Sequence, residues 1–200
     1  MRLQPSLSRQ CWLFAAGSAF FAIGCAPRFA VEVGAGASNL LCFIGSWFFT
    51  TAAWMQLRLS GEEGTLGWYS AAVQFGGTVL FNVSTAAAVW LHSIPERRHL
   101  VWTPDVFGSV AFLVSGVLAI GALGASCTRP DRRNAWINLA GCVAFGVSAL
   151  AGFVKHSGVT EDQWLANFGT FLGALCFLVA ALLALPRFRK PAPTLRQSPV

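Results

Sequence analysis

Residues 37–57 read ASNLLCFIGSWFFTTAAWMQL, and this run contains no Asp, Glu, Lys, Arg or His. A helix of about 20 apolar residues is long enough to cross the hydrocarbon core of a bilayer. Backbone N–H and C=O groups cannot stay unpaired in lipid, so a continuous apolar run of this length favours a helix. No stretch of the chain alternates polar and apolar residues as the strands of a membrane barrel do. We therefore expect residues 37–57 to form a transmembrane helix.

The whole chain has the composition of a membrane protein with several such helices. Of its 200 residues, 55% are hydrophobic and 11% are charged, and the mean hydropathy is +0.59. A soluble domain is nearer a quarter charged. The charges fall in short clusters, which predicts a single membrane domain, 1–190, followed by a disordered cytoplasmic tail, 191–200. The predicted spans are about 10–27, 37–57, 68–91, 105–126, 134–154 and 163–185.

One motif recurs in all six predicted spans: Gly, a small residue, two free positions, Phe, two free positions and another small residue. In the run quoted above it is Gly45-Ser46-x-x-Phe49-x-x-Ala52. Positions i, i+4 and i+7 share one face of a helix, and a Gly there lets a neighbouring backbone come close. We expect this face to be the one through which the helices pack. The Gly and Phe positions of the motif are Gly17, Phe21, Gly45, Phe49, Gly77, Phe81, Gly108, Phe112, Gly141, Phe145, Gly173 and Phe177.

The residues that flank the motif relate the spans in pairs. Spans one and five share the pattern Trp-x4-Gly, which begins at Trp12 and Trp136. Spans two and six share the pattern Asn-x3-Phe-x-Gly, which begins at Asn39 and Asn167. Recurrence at an even period is the signature of an internal repeat. The predicted fold is therefore all-α: a polytopic membrane protein with six transmembrane helices arranged as three similar helical hairpins.

The distribution of positive charge predicts the orientation in the membrane. Most of the 14 Lys and Arg residues fall in the two tails and in the second and fourth connections between spans. Cytoplasmic loops carry an excess of Lys and Arg, so both termini are expected in the cytoplasm, at a bacterial inner membrane. The net charge of +6 lies beside the membrane ends, which favours contact with anionic lipid and not with nucleic acid. A signal peptide that ends near Cys25 is the alternative for span one, but the motif at Gly17 and Phe21 favours a retained helix.

Few polar side chains remain inside the predicted spans. The span cores contain no Asp, Glu, Lys, Arg or His, which argues against a proton-coupled pump. Gln74, Asn82, Ser84 and Thr85 form the candidate polar site within the membrane. Hydrogen bonds between helices account for such residues without any ligand. A solute site is the alternative, with Asn82 at its centre.

The sequence offers no recognisable chemistry. It has no P-loop, dinucleotide-binding, His-Glu-x-x-His or Gly-x-Ser-x-Gly motif in a usable context, so we expect no enzyme, no catalytic residue and no cofactor. His92, Glu96 and His99 are spaced to share a helix face that could bind a metal. Pro95 should interrupt that helix, so no metal site is predicted. Cys25 is the one of six cysteines expected near the outer surface, which leaves it without a disulfide partner.

Short segments of the hairpins carry a family resemblance. Spans one and two share Gly-Ser-x-x-Phe-Phe, and span two also carries Phe-Ile-Gly-Ser at 43–46 and Gln-Leu at 56–57. Segments 73–85 and 167–173 have a similar character. In these features the chain resembles the YrhK-like membrane domain family of bacteria, integral membrane proteins mostly of unassigned function. The resemblance implies a two-helix hairpin as the structural unit, and it implies no catalytic residues.

Two functions stay open at this point. The favoured one is a structural or interaction bundle of the inner membrane, whose partners are the lipid bilayer and other membrane proteins or a second copy of the chain. The alternative is a small-solute or ion transporter or channel with an uncharged pathway between the hairpins. Phe rings that fill the axis of the bundle would favour the first function. A continuous cavity lined by polar groups would favour the second.

Overall fold

The structure, a computed structural model, describes residues 5–91, 93–124, 127–155 and 157–185. These residues form helices joined by short connections, with one isolated β-bridge between Val154 and Thr160. The predicted tail, 191–200, lies outside the described residues. One further segment, Arg97–Trp102, is π-helical. The α-helices are α1 (Leu7–Gly24), α2 (Phe29–Glu32), α3 (Ala35–Leu59), α4 (Leu66–Trp90), α5 (Ile94–Glu96), α6 (Thr103–Gly121), α7 (Arg129–Ala151) and α8 (Gln163–Ala184).

Five helical stretches among the described residues are long and apolar enough to cross a membrane. They are α3, α4, α7, α8 and the continuous helix that runs from Ile94 to Gly121. These helices indicate an all-α, multi-pass membrane protein, as the sequence predicts. Helix α1 is not among the five: it has 18 residues and carries Arg9 in its first turn.

The six long helices pack into a closed ring. Its order is α1, α3, α4, α6, α7 and α8, and α8 packs against α1 to complete it. The contacts are most extensive between α1 and α3, between α4 and α6, and between α7 and α8. Neighbouring helices in the ring run antiparallel, as hydrogen bonds between α3 and α4 illustrate. Asn39 near the start of α3 bonds to Ala88 near the end of α4. Gln56 near the end of α3 bonds to Gln74 in the first half of α4.

Polar side chains explain where four of the long helices begin. Ser6, Thr65, Thr128 and Asp162 each accept a hydrogen bond from a backbone N–H in the first turn of α1, α4, α7 and α8, respectively. An N-cap of this kind stabilises a helix by about 1 kcal/mol. The short connections decide which helix ends meet at each end of the ring.

The chain around Pro95 differs from the sequence prediction. The sequence predicts an interruption at Pro95, whereas the structure places this residue in the first turn of a helix that continues through the π-helical segment into α6. A proline there sacrifices no hydrogen bond, because the first turn has no intrahelical partner for its N–H. Ser93 and Glu96 form a capping box that starts this helix. Helix α6 ends at Gly121, before the predicted limit at 126.

The glycines of the recurring motif lie where neighbouring helices come closest. A Cβ atom added at Gly17 would lie 2.9 Å from the carbonyl oxygen of Gly45, and one added at Gly45 would lie 3.0 Å from the carbonyl oxygen of Gly17. Contacts below 3.0 Å cannot be accommodated without a shift of the backbone, so only Gly allows this approach. The other four, Gly77, Gly108, Gly141 and Gly173, would place a Cβ 2.5–2.9 Å from ring atoms of a Phe on the facing helix.

Candidate functional site

The phenylalanines of the recurring motif meet on the axis of the ring. All six belong to one hydrophobic cluster, and each is only 3–5% exposed. We call this cluster the Phe core. Aromatic rings gain stability from offset and edge-to-face contacts beyond the apolar area that they bury. The Phe core consists of Phe21, Phe49, Phe81, Phe112, Phe145 and Phe177.

The Phe core has two layers. The ring of helices has two ends. We call the one at which α1 begins and α8 finishes the terminal end, and the opposite one the distal end. The distal layer comprises Phe21, Phe81 and Phe145, and the terminal layer comprises Phe49, Phe112 and Phe177. In the distal layer, the ring centroid of Phe145 lies 6.1 Å from that of Phe21 and 5.7 Å from that of Phe81. In the terminal layer, the ring centroid of Phe177 lies 6.0 Å from that of Phe49 and 5.8 Å from that of Phe112. Centroid distances of 4.9–5.3 Å join the two layers.

A cavity of about 530 Å³ extends from the terminal layer toward the terminal end of the ring. The three Phe residues of that layer form its inner wall. Asp131 lines this terminal cavity too, but its carboxylate accepts a hydrogen bond of 2.7 Å from Thr128 at the start of α7. Most of the other lining residues are apolar, and the uncharged hydrogen-bonding groups among them are mainly side-chain amides. The amides in the lining are Gln10, Gln56, Gln74, Asn134 and Asn138.

A second cavity, of about 540 Å³, extends from the distal layer toward the distal end. The three Phe residues of the distal layer form its inner wall, so the two cavities stop at opposite faces of the Phe core. Arg97 and Asp105 contribute one basic and one acidic side chain to this distal cavity, and Arg97 Nη1 also donates to the carbonyl oxygen of Gly158 at 3.2 Å. The uncharged polar residues in the lining are Asn39, Ser84, Thr85, Ser148, Thr160, Gln163, Asn167 and Thr170.

The structure does not bring together the four residues of the candidate polar site. Ser84 and Thr85 line the distal cavity, whereas Gln74 lines the terminal cavity on the other side of the Phe core. Asn82 lines neither of these two cavities. Its Oδ1 atom is buried and has no hydrogen-bond partner in the part of the chain that the structure describes.

Three of these four side chains make hydrogen bonds within the bundle. Ser84 Oγ donates to the carbonyl oxygen of Val101 at 2.8 Å, and Thr85 Oγ1 donates to that of Phe81 at 2.7 Å. Gln74 Oε1 accepts two hydrogen bonds of 3.3 Å from side chains on α3 and α6. The bond of Thr85 to Phe81 lies within α4, whereas those of Ser84 and Gln74 join α4 to other helices. All of them satisfy polar groups that lipid cannot solvate.

Asp105 is a cavity-lining residue that sequence reasoning leaves out of the candidate site. It lies in the first turn of α6, and it lines the distal cavity. Pro104 and Asp105 resemble a helix start in the sequence. The structure instead places both inside the continuous helix Ile94–Gly121, so no local signal marks Asp105 as a cavity residue. The sequence prediction treats Asp105 as the boundary of span 105–126.

Cys25 has a sulfur neighbour that the sequence does not predict, although both cysteines are free thiols. Its Sγ atom lies 3.6 Å from Sγ of Cys42, and both residues line the distal cavity. The sequence places Cys42 inside span two, away from the surface. In the structure α3 begins at Ala35, so that Cys42 lies in its second turn, level with the end of α1.

The chain matches none of the known proteins with which it was compared. No family model, no curated protein and no solved structure matches it. No group of three or more His, Cys, Asp or Glu side chains that could hold a metal occurs among the described residues. His92, one of the three spaced residues considered above, lies outside them. The resemblance to YrhK-like proteins therefore stays a prediction.

Proposed function

We propose that all six long helices cross the membrane as three similar hairpins, α1–α3, α4–α6 and α7–α8. The most extensive helix contacts lie within these three pairs. Helix α1 fills the place between α3 and α8, and its Phe21 is 3% exposed within the Phe core. Without α1 in the membrane, the ring would be open and the Phe core would face lipid on one side. This packing supports a sixth span despite the polar start of α1.

We further propose that the protein lies in a bacterial inner membrane with both termini in the cytoplasm. Six spans place both chain ends on the same side. Arg58 ends α3, and α7 begins with Arg129, Arg132 and Arg133, all at the terminal end. Because positive charge accumulates on the cytoplasmic side, the terminal end is assigned to the cytoplasm. The YrhK-like resemblance is in keeping with this assignment, since that family is made up of bacterial membrane proteins.

The filled axis by itself favours a structural bundle. Because two cavities reach the same Phe core from opposite ends, we nevertheless infer that the bundle is the closed state of a small-solute or ion transporter or channel. The observation that carries this inference is that the terminal and distal cavities stop at opposite faces of the same Phe core. A hydrophobic constriction blocks ions and polar solutes because water leaves it. Rocking of one hairpin against the others, or rotation of the Phe side chains, would join the two cavities.

The lining of the cavities favours a small polar solute without net charge. Each cavity has a volume in the range that protein pockets use for small ligands. Amide and hydroxyl groups outnumber ionisable groups in both linings. Such groups replace the hydrogen bonds that a polar solute makes with water, and they do not require the solute to carry a charge.

A structural or interaction bundle is the second candidate function. The observation that favours it is the filled axis, because the Phe core closes the bundle between the two cavities. On this alternative the outward faces of the helices would contact lipid and other membrane proteins or a second copy of the chain. Neither candidate function requires an enzyme activity or a cofactor.

Flux measurements in proteoliposomes distinguish the two functions. The purified protein would be reconstituted, and uptake of urea, glycerol, neutral amino acids, Na⁺ and K⁺ would be measured against empty vesicles. The variant Phe177→Ala removes one ring of the terminal layer. Its matched control is Phe107→Ala, since Phe107 is 61% exposed on the outer surface of α6.

If a transport pathway runs through the Phe core, we expect the wild type to take up at least one solute and Phe177→Ala to take it up faster. The uptake rate of Phe107→Ala should equal that of the wild type. Absence of uptake by both the wild type and Phe177→Ala, at equal reconstitution, would contradict the pathway and support the structural bundle. Equal acceleration by both Phe variants would show a general leak and would likewise contradict a pathway through the Phe core.

A further inference from the structure

We propose that Cys25 and Cys42 form a reversible disulfide in the wall of the distal cavity. Their Sγ atoms lie 3.6 Å apart, and both residues line the cavity of about 540 Å³. Cys25 is the C-cap residue that follows α1, and Cys42 lies in the second turn of α3, so the bond would close the first hairpin at its distal end. This inference does not rest on the proposed transport function, but the source of its oxidant rests on the proposed topology.

The local packing holds the sulfur atoms of the two cysteines in contact. Ser38 Oγ donates to the carbonyl oxygen of Gly24 at 2.6 Å, which ties the end of α1 to the first turn of α3. A Cβ atom added at Gly24 would lie 3.3 Å from Cys42 Sγ, so the absence of a side chain at Gly24 makes room for that sulfur. The sulfur atoms need to approach by only about 1.5 Å to reach the bonded distance, which rotation of the side chains supplies.

The oxidant in this proposal is a small-molecule or protein disulfide of the outer compartment. One of the two cysteine thiolates attacks it, forms a mixed disulfide and releases one thiolate. The second cysteine thiolate then attacks the cysteine sulfur of the mixed disulfide and expels the other half of the oxidant. In total, two cysteine thiols and one disulfide give the Cys25–Cys42 bond and two thiols, and a dithiol reductant reverses the reaction.

The position of the pair gives the disulfide a structural consequence. Phe21 of the distal layer precedes Cys25 by one helical turn, and both residues line the distal cavity. A covalent bond between α1 and α3 at this level prevents the two helix ends from separating. Oxidation would therefore fix one wall of the distal cavity beside the Phe core, and reduction would release it. The proposed topology places this end in the oxidising compartment, where disulfides persist.

Peptide mapping tests the proposal on the full-length protein. The purified protein is incubated with oxidised glutathione, the remaining thiols are alkylated, and the monomer is digested with trypsin without reduction. Cleavage after Arg9, Arg28 and Arg58 separates peptide 10–28, which contains Cys11 and Cys25, from peptide 29–58, which contains Cys42. We expect these two peptides to be linked, the fragmentation spectrum to assign the link to Cys25, and free thiols to fall from six to four per chain.

Matched variants distinguish this bond from any other. Cys11→Ser should keep the linked peptides, because Cys11 lies in the same peptide as Cys25 but lines the terminal cavity. Cys25→Ser and Cys42→Ser should each abolish them. Separate alkylation of Cys25 and Cys42 after oxidation would overturn the proposal, and so would a link that persists in Cys25→Ser. The wild-type fragmentation spectrum alone decides the question where a variant fails to fold.

Discussion

The rings of Phe145 and Phe177 stack on the axis of the bundle, with centroids 5.3 Å apart and planes inclined by 14°. Each ring covers a glycine of the facing helix. A Cβ atom added at Gly173 would lie 2.5 Å from Cδ2 of Phe145, and one added at Gly141 would lie 2.8 Å from Cδ1 of Phe177. Because Gly and Phe are one helical turn apart in the motif, two antiparallel helices can each supply a glycine for the ring of the other.

The contact between Phe145 and Gly173 makes the effects of their substitutions interdependent. Gly173→Ala should lower the free energy of unfolding by about 1–3 kcal/mol, because the added methyl group overlaps the Phe145 ring. In the double variant Phe145→Ala/Gly173→Ala that overlap is absent. The double variant should therefore be more stable than the sum of the single effects predicts, by roughly 0.5–3 kcal/mol. Unfolding in detergent, followed by circular dichroism, measures all three free energies.

The control pair for this cycle is Gly173→Ala with Phe107→Ala. Phe107 is exposed on the outer surface of α6, so its substitution should add to that of Gly173 without interaction. An additive result for the Phe145 and Gly173 pair would show that the Phe145 ring does not limit the space at Gly173.

Two adjacent glycines of α4 should respond differently to alanine. At Gly77 a Cβ atom would lie 2.9 Å from Cδ1 of Phe112 and 3.1 Å from Cβ of Ala111 on α6, whereas at Gly76 it would meet nothing within 4 Å. We expect Gly77→Ala to destabilise the protein by about 1–3 kcal/mol. Gly76→Ala should be neutral or should stabilise it by up to about 1 kcal/mol, through helix propensity. Thermal unfolding in the same detergent compares them, and equal midpoints would contradict close packing at Gly77.

The helices and their inward faces are the parts of the fold that the sequence predicts well. The length of a charge-free run indicates whether a helix can span the membrane, and a recurring spacing indicates which side chains share a helix face. Both signals come from residues that are close together in the sequence. Residues 37–57, for example, lie entirely within α3, and Phe49 is buried on the axis. The burial of Phe49 can be predicted from its own helix, because the spacing of the motif places this residue on the packing face.

These local patterns do not predict how the helices are shifted relative to one another along the axis of the bundle. Cys25 and Cys42 come into contact because the end of α1 lies beside the second turn of α3, and that depends on the length of the connection and on the packing at Gly24. The two cavities likewise arise from how six helices diverge from the Phe core. Asp105 lines the distal cavity from within the helix Ile94–Gly121, whereas the sequence places it at the boundary of a span.

Asn82 and Asn39 should respond in opposite directions to replacement by leucine. Asn82 Oδ1 is buried without a hydrogen-bond partner among the described residues, and a buried unsatisfied group costs about 1–3 kcal/mol. Asn82→Leu should therefore leave the thermal unfolding midpoint unchanged or raise it. Asn39 Nδ2 donates to the carbonyl oxygen of Ala88 at 2.8 Å, and its loss should cost roughly 0.6–2 kcal/mol.

The two asparagine variants also test the candidate polar site. A solute site centred on Asn82 would show a loss of uptake in Asn82→Leu without a loss of stability. A packing role at Asn82 instead predicts no change in uptake at any solute concentration. A strongly lowered unfolding midpoint in Asn82→Leu would contradict the unsatisfied state of its Oδ1 atom.

The proposed topology can be tested with exposed cysteines introduced at three positions. Ser8 precedes most of α1, Glu63 lies between α3 and α4, and Val159 lies between α7 and α8; all three are exposed. A membrane-impermeant maleimide is added to intact cells and, in parallel, to permeabilised cells. The wild type provides the background from the native cysteines.

The position at Ser8 decides whether α1 is a sixth span. With six spans, Ser8→Cys and Glu63→Cys lie on the cytoplasmic side and react only after permeabilisation, whereas Val159→Cys reacts in intact cells. With five spans, the start of the chain lies on the side of Val159, so that Ser8→Cys would react in intact cells as well. Because Phe21 and Gly17 place α1 in the same packing contacts as the other long helices, we expect Ser8→Cys to be protected. Labelling of Ser8→Cys in intact cells would contradict the six-span bundle even if the other two positions behave as expected.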